Sequence, residues 1–221
     1  MNPILDEFNT VVTGGWNPAV FNPEWVTQNL VVADEAKLEM GFMPGQTFYR
    51  ISVPGVMIEP RRDRLIVMAR GTPRNWTAAA EAAAKALDLL SHTPVRAVGV
   101  NFGYMVADPS EELRSVLNLS DRDRVAAAGG EVRTVRVIEQ IMLTDRTLNL
   151  TLSGAPSGGI QIRANFHQDS AAVKPWAQWI RATVSEGLEQ TLLTFLEKAY
   201  GLRVEQMETS DAGSANNDNA K

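Results

Sequence analysis

Alternation of apolar and polar residues is strongest between residues 135 and 167, where it predicts three strands. Leu148, Leu150 and Leu152 alternate with polar residues, and the segments 135–143 and 160–167 follow the same period of two. Successive side chains of a strand point to opposite faces, so each strand here has one apolar and one polar face. Turn residues at 145–146 and 154–159 separate the strands and predict an antiparallel meander.

Two further segments predict strands. Residues 47–70 alternate around the turn-forming segment 60–63, which predicts a β-hairpin. Residues 95–106 predict a single strand with Gly99 and Gly103 on one face. Two glycines on one face indicate that another element or a ligand comes close. An alanine-rich helix is the simpler candidate for that neighbour.

Helical spacing appears in two long segments. From Trp76 to Leu90 the apolar residues recur at intervals of four and three, and the 176–200 segment shows a similar stripe before Gly201. Short helices are expected after Asn22, Asp108 and Ser120, and Asn22, Asn75 and Asp108 are the expected N-caps. Residues 28–33 are expected to form a short strand.

This order of elements predicts an α+β fold: antiparallel sheet structure, from a hairpin and a three-stranded meander, covered by two main helices. Strands followed by a covering helix occur twice, which suggests two related half-modules at about 46–106 and 107–207. The expected organisation is an irregular aromatic arm over 1–45, one α+β domain over 46–207 and a disordered tail over 208–221.

Composition removes several kinds of chemistry. The chain has 221 residues, no cysteine and two histidines. Disulfides, thiolate nucleophiles, cysteine-based metal centres and multi-histidine metal sites are therefore excluded. No phosphate loop, dinucleotide fingerprint, nucleophile elbow or zinc-protease motif is present, so no cofactor or metal is expected.

The net charge of −5 is unevenly distributed. Residues 1–40 carry −5 and residues 208–221 carry −2, which leaves +2 on the segment between them. The first residues lack the basic start of a secretory signal, and no apolar run approaches the roughly 20 residues of a membrane span. A cytoplasmic protein without a membrane partner is expected.

Candidate interaction residues lie in two places. Trp16, Phe21 and Trp25 belong to the acidic arm, where they either fold back over their own sheet or dock onto a second subunit. Arg61 and Arg62 lie at the predicted hairpin tip. Nucleic acid is a disfavoured partner, because the net charge is negative and no aromatic residue lies between these arginines.

Candidate pocket residues are Tyr104, Arg136 and Glu139. Glu139 is in phase with an apolar stripe, and a buried carboxylate there would have a raised pKa suited to acid–base chemistry. A bulge or an edge position that turns Glu139 outward is the favoured alternative. The pocket would lie between the meander and the long helix, or over Gly99, Asn101 and Gly103.

These patterns favour a non-catalytic, cytoplasmic protein–protein interaction or assembly module that acts as a homo-oligomer. The alternative is a small-molecule-binding or enzymatic domain that uses carboxylate, arginine and tyrosine chemistry in the pocket.

Overall fold

The computed structural model describes residues 1–43, 46–118, 122–143, 146–155, 158–169 and 175–203. Its strands are β1 (Asn2–Pro3), β2 (Asn9–Gly14), β3 (Lys37–Met43), β4 (Gln46–Val53), β5 (Val56–Pro60), β6 (Arg64–Ala69), β7 (Val95–Val106), β8 (Arg136–Leu143), β9 (Arg146–Gly154) and β10 (Ile160–Asp169). Its helices are α1 (Pro23–Asn29), α2 (Trp76–Leu89), α3 (Glu111–Val116), α4 (Arg122–Ala127), α5 (Trp176–Ser185) and α6 (Leu188–Tyr200). The α+β class is confirmed.

All ten strands join one antiparallel sheet. The order across it is β3-β4-β5-β6-β2-β7-β10-β9-β8, and β1 pairs with β7. The expected hairpin is β5–β6 and the expected meander is β8–β9–β10. β2 and β7 therefore lie near the centre, whereas β3 and β8 are the two edges.

One face of the sheet packs against helices and is called the helix face. The Trp76 ring at the start of α2 meets the Phe102 ring of β7 edge-on, with centroids 5.1 Å apart. α2 also packs against β2, β5 and β6, and α5 packs against α2 and β7. The opposite, open face carries the polar side of the meander, where Gln140 and Arg163 are exposed. The alternating pattern of the meander thus separates core from surface.

The predicted long helix is two helices. α5 ends at Ser185 and α6 begins at Leu188, and Gly187 between them has φ +64°. This left-handed conformation is readily adopted by glycine and typically ends a helix. The apolar stripe continues across the break, which is why the spacing alone reads as one helix.

The expected caps are only partly correct. Asn22 caps α1, since its side chain accepts a hydrogen bond from the Trp25 amide at 2.8 Å. Asn75 caps nothing: its backbone is helical and its amide donates to the Arg70 carbonyl. Ser110, rather than Asp108, caps α3. The expected strand at 28–33 is also wrong, because α1 extends to Asn29.

The expected irregular arm contains regular structure. It supplies β1, β2, α1 and β3, and β2 lies between β6 and β7 inside the sheet. β2 is a short strand, and its pairing partners lie far away in sequence. The local pattern of its residues therefore does not predict it. The expected tail at 208–221 lies outside the described residues.

Candidate functional site

Five carboxamide side chains cross the open face on five neighbouring strands. Gln140 Nε2 donates to Asn149 Oδ1 at 3.2 Å, and Asn149 Nδ2 donates to Asn165 Oδ1 at 3.3 Å. Asn165 Nδ2 donates to Asn101 Oδ1 at 2.7 Å, and Asn101 Nδ2 donates to Asn9 Oδ1 at 2.8 Å. Each residue lies directly opposite the next in strand register. We call this row the amide ladder.

The two ends of the amide ladder differ. At the central end, Asn9 Nδ2 donates to the Asp6 carbonyl at 3.1 Å, so the row ends on backbone. At the other end, Gln140 is exposed on the edge strand β8. The row therefore stops at the sheet edge, where its last amide faces solvent.

An ion pair lies beside the amide ladder. Glu7, in a single helical turn over β7, accepts hydrogen bonds from Arg163 Nε at 2.8 Å and from Gln161 Nε2 at 3.0 Å. The hydrogen bond to Glu7 is the main cause that raises the pKa of Arg163. Both charges are thus satisfied within the chain.

The two glycines of β7 make room for these groups. A Cβ at Gly103 would lie 2.4 Å from Glu7 Cβ, and one at Gly99 would lie 2.8 Å from Asn165 Nδ2. The close neighbours are therefore polar side chains of the open face. The alanine-rich helix α2 packs on the opposite face, so the expectation that it is their neighbour is wrong.

A depression of about 430 Å³ lies over this polar surface, and Glu7, Asn101, Asn165 and Arg163 contribute to its lining. Carboxamides are neutral and do not transfer protons near pH 7, and Glu7 is neutralised by Arg163. Within the described ranges, no group of His, Asp and Glu side chains is arranged to hold a metal ion. The surface is suited to hydrogen bonding and lacks an evident acid–base pair.

Exposed large hydrophobic side chains concentrate on the two edge strands. Seven such residues are found in the described part of the chain, and five of them lie on β3 or β8. The exposed fractions are 53% for Leu38, 61% for Met40, 76% for Phe42, 68% for Ile138 and 69% for Met142. The β3 row is on the helix face, because Leu38 lies opposite the buried Ile51. The β8 pair flanks Gln140 on the open face.

The aromatic arm packs within its own chain. Trp16 and Phe21 are buried, and Trp16 Nε1 donates to the Val12 carbonyl at 2.9 Å. The Phe21 and Trp25 rings meet edge-on, with centroids 5.3 Å apart. Of the two alternatives for these rings, the structure has the fold-back arrangement, and Trp16 and Phe21 present no exposed ring to a partner.

The two tip arginines have different surroundings. Arg61 and Arg50 both pair with the carboxylate of Glu59, which is buried on β5. The Arg61 guanidinium also lies 5.2 Å from the centroid of the Phe48 ring. Arg62 is exposed between β5 and β6. Only Arg62 is thus free of these intrachain contacts.

The pocket candidates are not brought together. Tyr104 is buried on the helix face of β7 and donates to Glu189 Oε1 at 3.4 Å, whereas Arg136 is exposed on the open face of β8. Glu139 lies on β8, separated from β7 by β9 and β10. These positions cannot form one pocket.

Glu139 lies on the edge strand β8, but its pairing with β9 contains no bulge and its side chain is not turned outward, as the favoured alternative expected. The carboxylate is half-buried toward α6 and accepts a hydrogen bond from Tyr200 OH at 2.8 Å. Burial, and then the contact with Glu139, raise the pKa of Tyr200 to about 12. This phenol therefore stays protonated near neutral pH.

The sequence did not single out the half-buried carboxylate of Glu189. Glu189 in the first turn of α6 accepts hydrogen bonds from Trp76 Nε1 at 2.8 Å and from Tyr104 OH at 3.4 Å. Burial raises the pKa of Glu189, and these two hydrogen bonds oppose that effect. An acid in a first helical turn is ordinary, so only the fold reveals its neighbours.

No protein-family model matches the sequence, and no curated protein or solved structure matches it significantly. Among the described residues, no helix is both long and apolar enough to cross a membrane. Function must therefore be inferred from the chain's own geometry.

Proposed function

We propose that the chain is a non-catalytic, cytoplasmic protein–protein interaction module that forms a homo-oligomer through the edges of its sheet. The observation that supports this most is the concentration of exposed large hydrophobic side chains on β3 and β8. An edge strand has unpaired backbone donors and acceptors, and a second strand can satisfy them. Pairing would also remove the exposed side chains from water.

The polar surface supports a non-catalytic role. Glu7 and Arg163 neutralise one another, and the amide ladder carries no charge. The three candidate groups for carboxylate, arginine and tyrosine chemistry lie on different strands or faces. A binding surface needs none of them to act as an acid or a base.

The two half-modules are part of the proposal, with shifted boundaries. The order strand, helix, strands, helix occurs as β2, α1, β3–β6 and α2, and again as β7, α3–α4, β8–β10 and α5–α6, with four strands in the first set and three in the second. β2 and β7, the first strands of the two sets, are paired in the middle of the sheet. This order supports halves of about 1–89 and 95–203, each with one outer edge.

Light scattering coupled to size-exclusion chromatography, between about 1 and 100 µM protein, tests the homo-oligomer. We expect the native chain to exceed the monomer mass. Met40→Lys places a charge on β3, and Ile138→Lys places one on β8. The variant whose edge strand forms the interface should weaken association about tenfold or more. Val32→Lys is the control, because Val32 is 92% exposed and lies outside the strands.

A monomer over the whole concentration range would contradict the proposal. An oligomer that neither edge variant weakens would also contradict it, because the proposal rests on the exposed hydrophobic side chains of these two edges. Circular dichroism should confirm that the variants keep the native secondary structure.

The depression over the amide ladder favours a second candidate function, the binding of a small polar molecule. Each carboxamide of the ladder has two hydrogens and an oxygen with two lone pairs, so it can still donate and accept hydrogen bonds toward solvent. Thermal-shift screening with neutral polar compounds tests this function, and Asn101→Ala should abolish any shift that arises there. A shift unchanged by Asn101→Ala would place the ligand elsewhere.

A further inference from the structure

We infer that two copies of the chain join β8 to β8, antiparallel, about a two-fold axis that passes beside Gln140. This inference rests on the proposed function and names its interface. The partner is a second copy of the chain, and the two sheets become one continuous sheet. Three features of β8 support this arrangement.

The first feature is the side-chain pattern of β8, which matches itself under this two-fold rotation. Ile138 of one copy lies opposite Met142 of the second copy on the open face, and Val137 lies opposite Leu143 on the helix face. Both exposed open-face side chains are therefore covered by apolar neighbours. Directly opposed side chains of this kind stabilise antiparallel pairs.

The second feature is the open end of the amide ladder. Gln140 donates to Asn149 and is the last amide before the edge. Under the two-fold rotation it lies opposite Gln140 of the second copy. A carboxamide has two donors and an accepting oxygen, so the two side chains can bond to each other while each keeps its bond to Asn149. The amide ladder then runs through both copies.

The third feature lies on the helix face next to β8. A groove of about 500 Å³ is lined by Leu143 together with Thr191, Phe195 and Lys198 of α6. In the inferred register, Val137 of the second copy lies beside Leu143, at the border of this groove. The second copy thus contributes apolar surface on both faces of the sheet.

The register is restricted by charge and by the two faces. When the two-fold axis is perpendicular to the sheet, the open faces of both copies lie on the same side. Only registers in which opposed residues point to the same face are then possible. If the axis passed beside Glu139, the Glu139 carboxylates of the two copies would lie opposite each other, which is unfavourable. Centring it on Gln140 opposes two neutral amides and places Glu139 opposite Ile141.

Pairing of β8 with the other edge strand, β3, fits less well than pairing of β8 with itself. Leu38, Met40 and Phe42 all lie on the helix face of β3, and its open face carries Lys37, Glu39 and Gly41. Pairing of β3 with β8 in a continuous sheet would place their exposed apolar rows on opposite faces. Pairing of β8 with β8 therefore predicts a closed dimer, whereas pairing of β3 with β8 would repeat into a filament.

Disulfide cross-linking tests the interface directly, because the chain has no cysteine. Opposed Cα atoms of an antiparallel pair are about 4.5–5.5 Å apart, within the range of about 4.4–6.8 Å found in disulfides. Gln140→Cys should give a covalent dimer under mild oxidation, about fivefold or more above Val32→Cys and Met40→Cys. Ile138→Cys and Met142→Cys, in differently tagged chains, should cross-link when mixed.

The outcomes separate this inference from the proposed function. An oligomer that cross-links at Met40→Cys and not at Gln140→Cys keeps the proposed function and overturns the β8 interface. A monomer with no cross-link above the Val32→Cys control overturns both. Cross-linking of Gln140→Cys without that of the mixed pair overturns the register. Light scattering of the Ile138→Lys variant should show monomer at concentrations where the native chain is dimeric.

Discussion

Asn165 donates to Asn101 at 2.7 Å, across the register that joins β10 to β7. Asn101 in turn donates to Asn9 at 2.8 Å, so its amide is held on both sides. The hydrogen bonds lie on a half-buried surface, where an unpaired amide costs free energy. Asn101 is therefore an interior member of the amide ladder, in contrast to Gln140 at its exposed end.

Removal of the two amides should have unequal effects on stability. Asn101→Ala removes one hydrogen-bond partner from Asn9 and one from Asn165, and it should lower the free energy of unfolding by about 1–3 kcal/mol. Gln140→Ala removes an exposed side chain with one hydrogen bond and should cost less than about 1 kcal/mol in the monomer. Urea denaturation at low protein concentration measures both. Equal losses of unfolding free energy in the two variants would contradict the distinction between the interior and the exposed end of the amide ladder.

Gly103 should tolerate alanine less well than Gly99. The added methyl at 103 would lie 2.4 Å from Glu7 Cβ, so the turn Leu5–Glu7 must move, and a loss of about 1–3 kcal/mol is expected. At Gly99 the obstacle is the end of the Asn165 side chain, at 2.8 Å, which can rotate. Chemical denaturation of the two alanine variants compares them. A larger loss for Gly99→Ala would show that the turn moves easily.

The meander could be predicted because its signal is local. Leu150 and its alternating neighbours specify one buried face, and the spacing after Trp76 specifies a helix without knowledge of partners. The amide ladder could not be predicted in this way. Asn9, Asn101 and Asn165 lie far apart in sequence, and only the strand register places them in one row.

The break at Gly187 and the burial of Trp16 show the same limit. A glycine within an apolar stripe is compatible with one helix or two, and its left-handed backbone appears only in the fold. The arm lacked a repeated pattern, yet Trp16 is buried because β2 enters the sheet between β6 and β7. Tertiary contacts, rather than local preference, determine both features.

The tyrosines should ionise at unusually high pH in the folded protein. Burial raises the pKa of Tyr49 and of Tyr104, and it raises that of Tyr200 to about 12. These are the three tyrosines of the chain. Ultraviolet titration of the native protein should show less tyrosinate at pH 10, the ordinary midpoint, than the unfolded chain shows.

The same titration in urea should return the midpoint to about 10. Tyr200→Phe should remove the native step near pH 12. Because the unfolded chain loses these protons at lower pH, the free energy of unfolding should fall as pH rises above 10. A native titration with its main step at pH 10 would contradict the buried positions.

The half-buried carboxylate of Glu189 should make stability depend on pH in the acidic range. Burial raises its pKa above the ordinary 4.5, against the opposing effect of the hydrogen bonds from Trp76 and Tyr104. The folded state therefore binds this proton more tightly than the unfolded state does. The resulting stabilisation is fully present below pH 4.5 and is lost as the pH rises through the raised value.

Glu189→Gln removes this dependence, because its side chain does not titrate. The free energy of unfolding of the native chain, minus that of the variant, should therefore decrease as the pH rises above 4.5. Urea denaturation at several pH values gives this difference. Glu197→Gln is a matched control in the same helix, with a side chain that is 49% exposed. A Glu189 difference that stays flat or rises with pH would mean that the hydrogen bonds outweigh the burial.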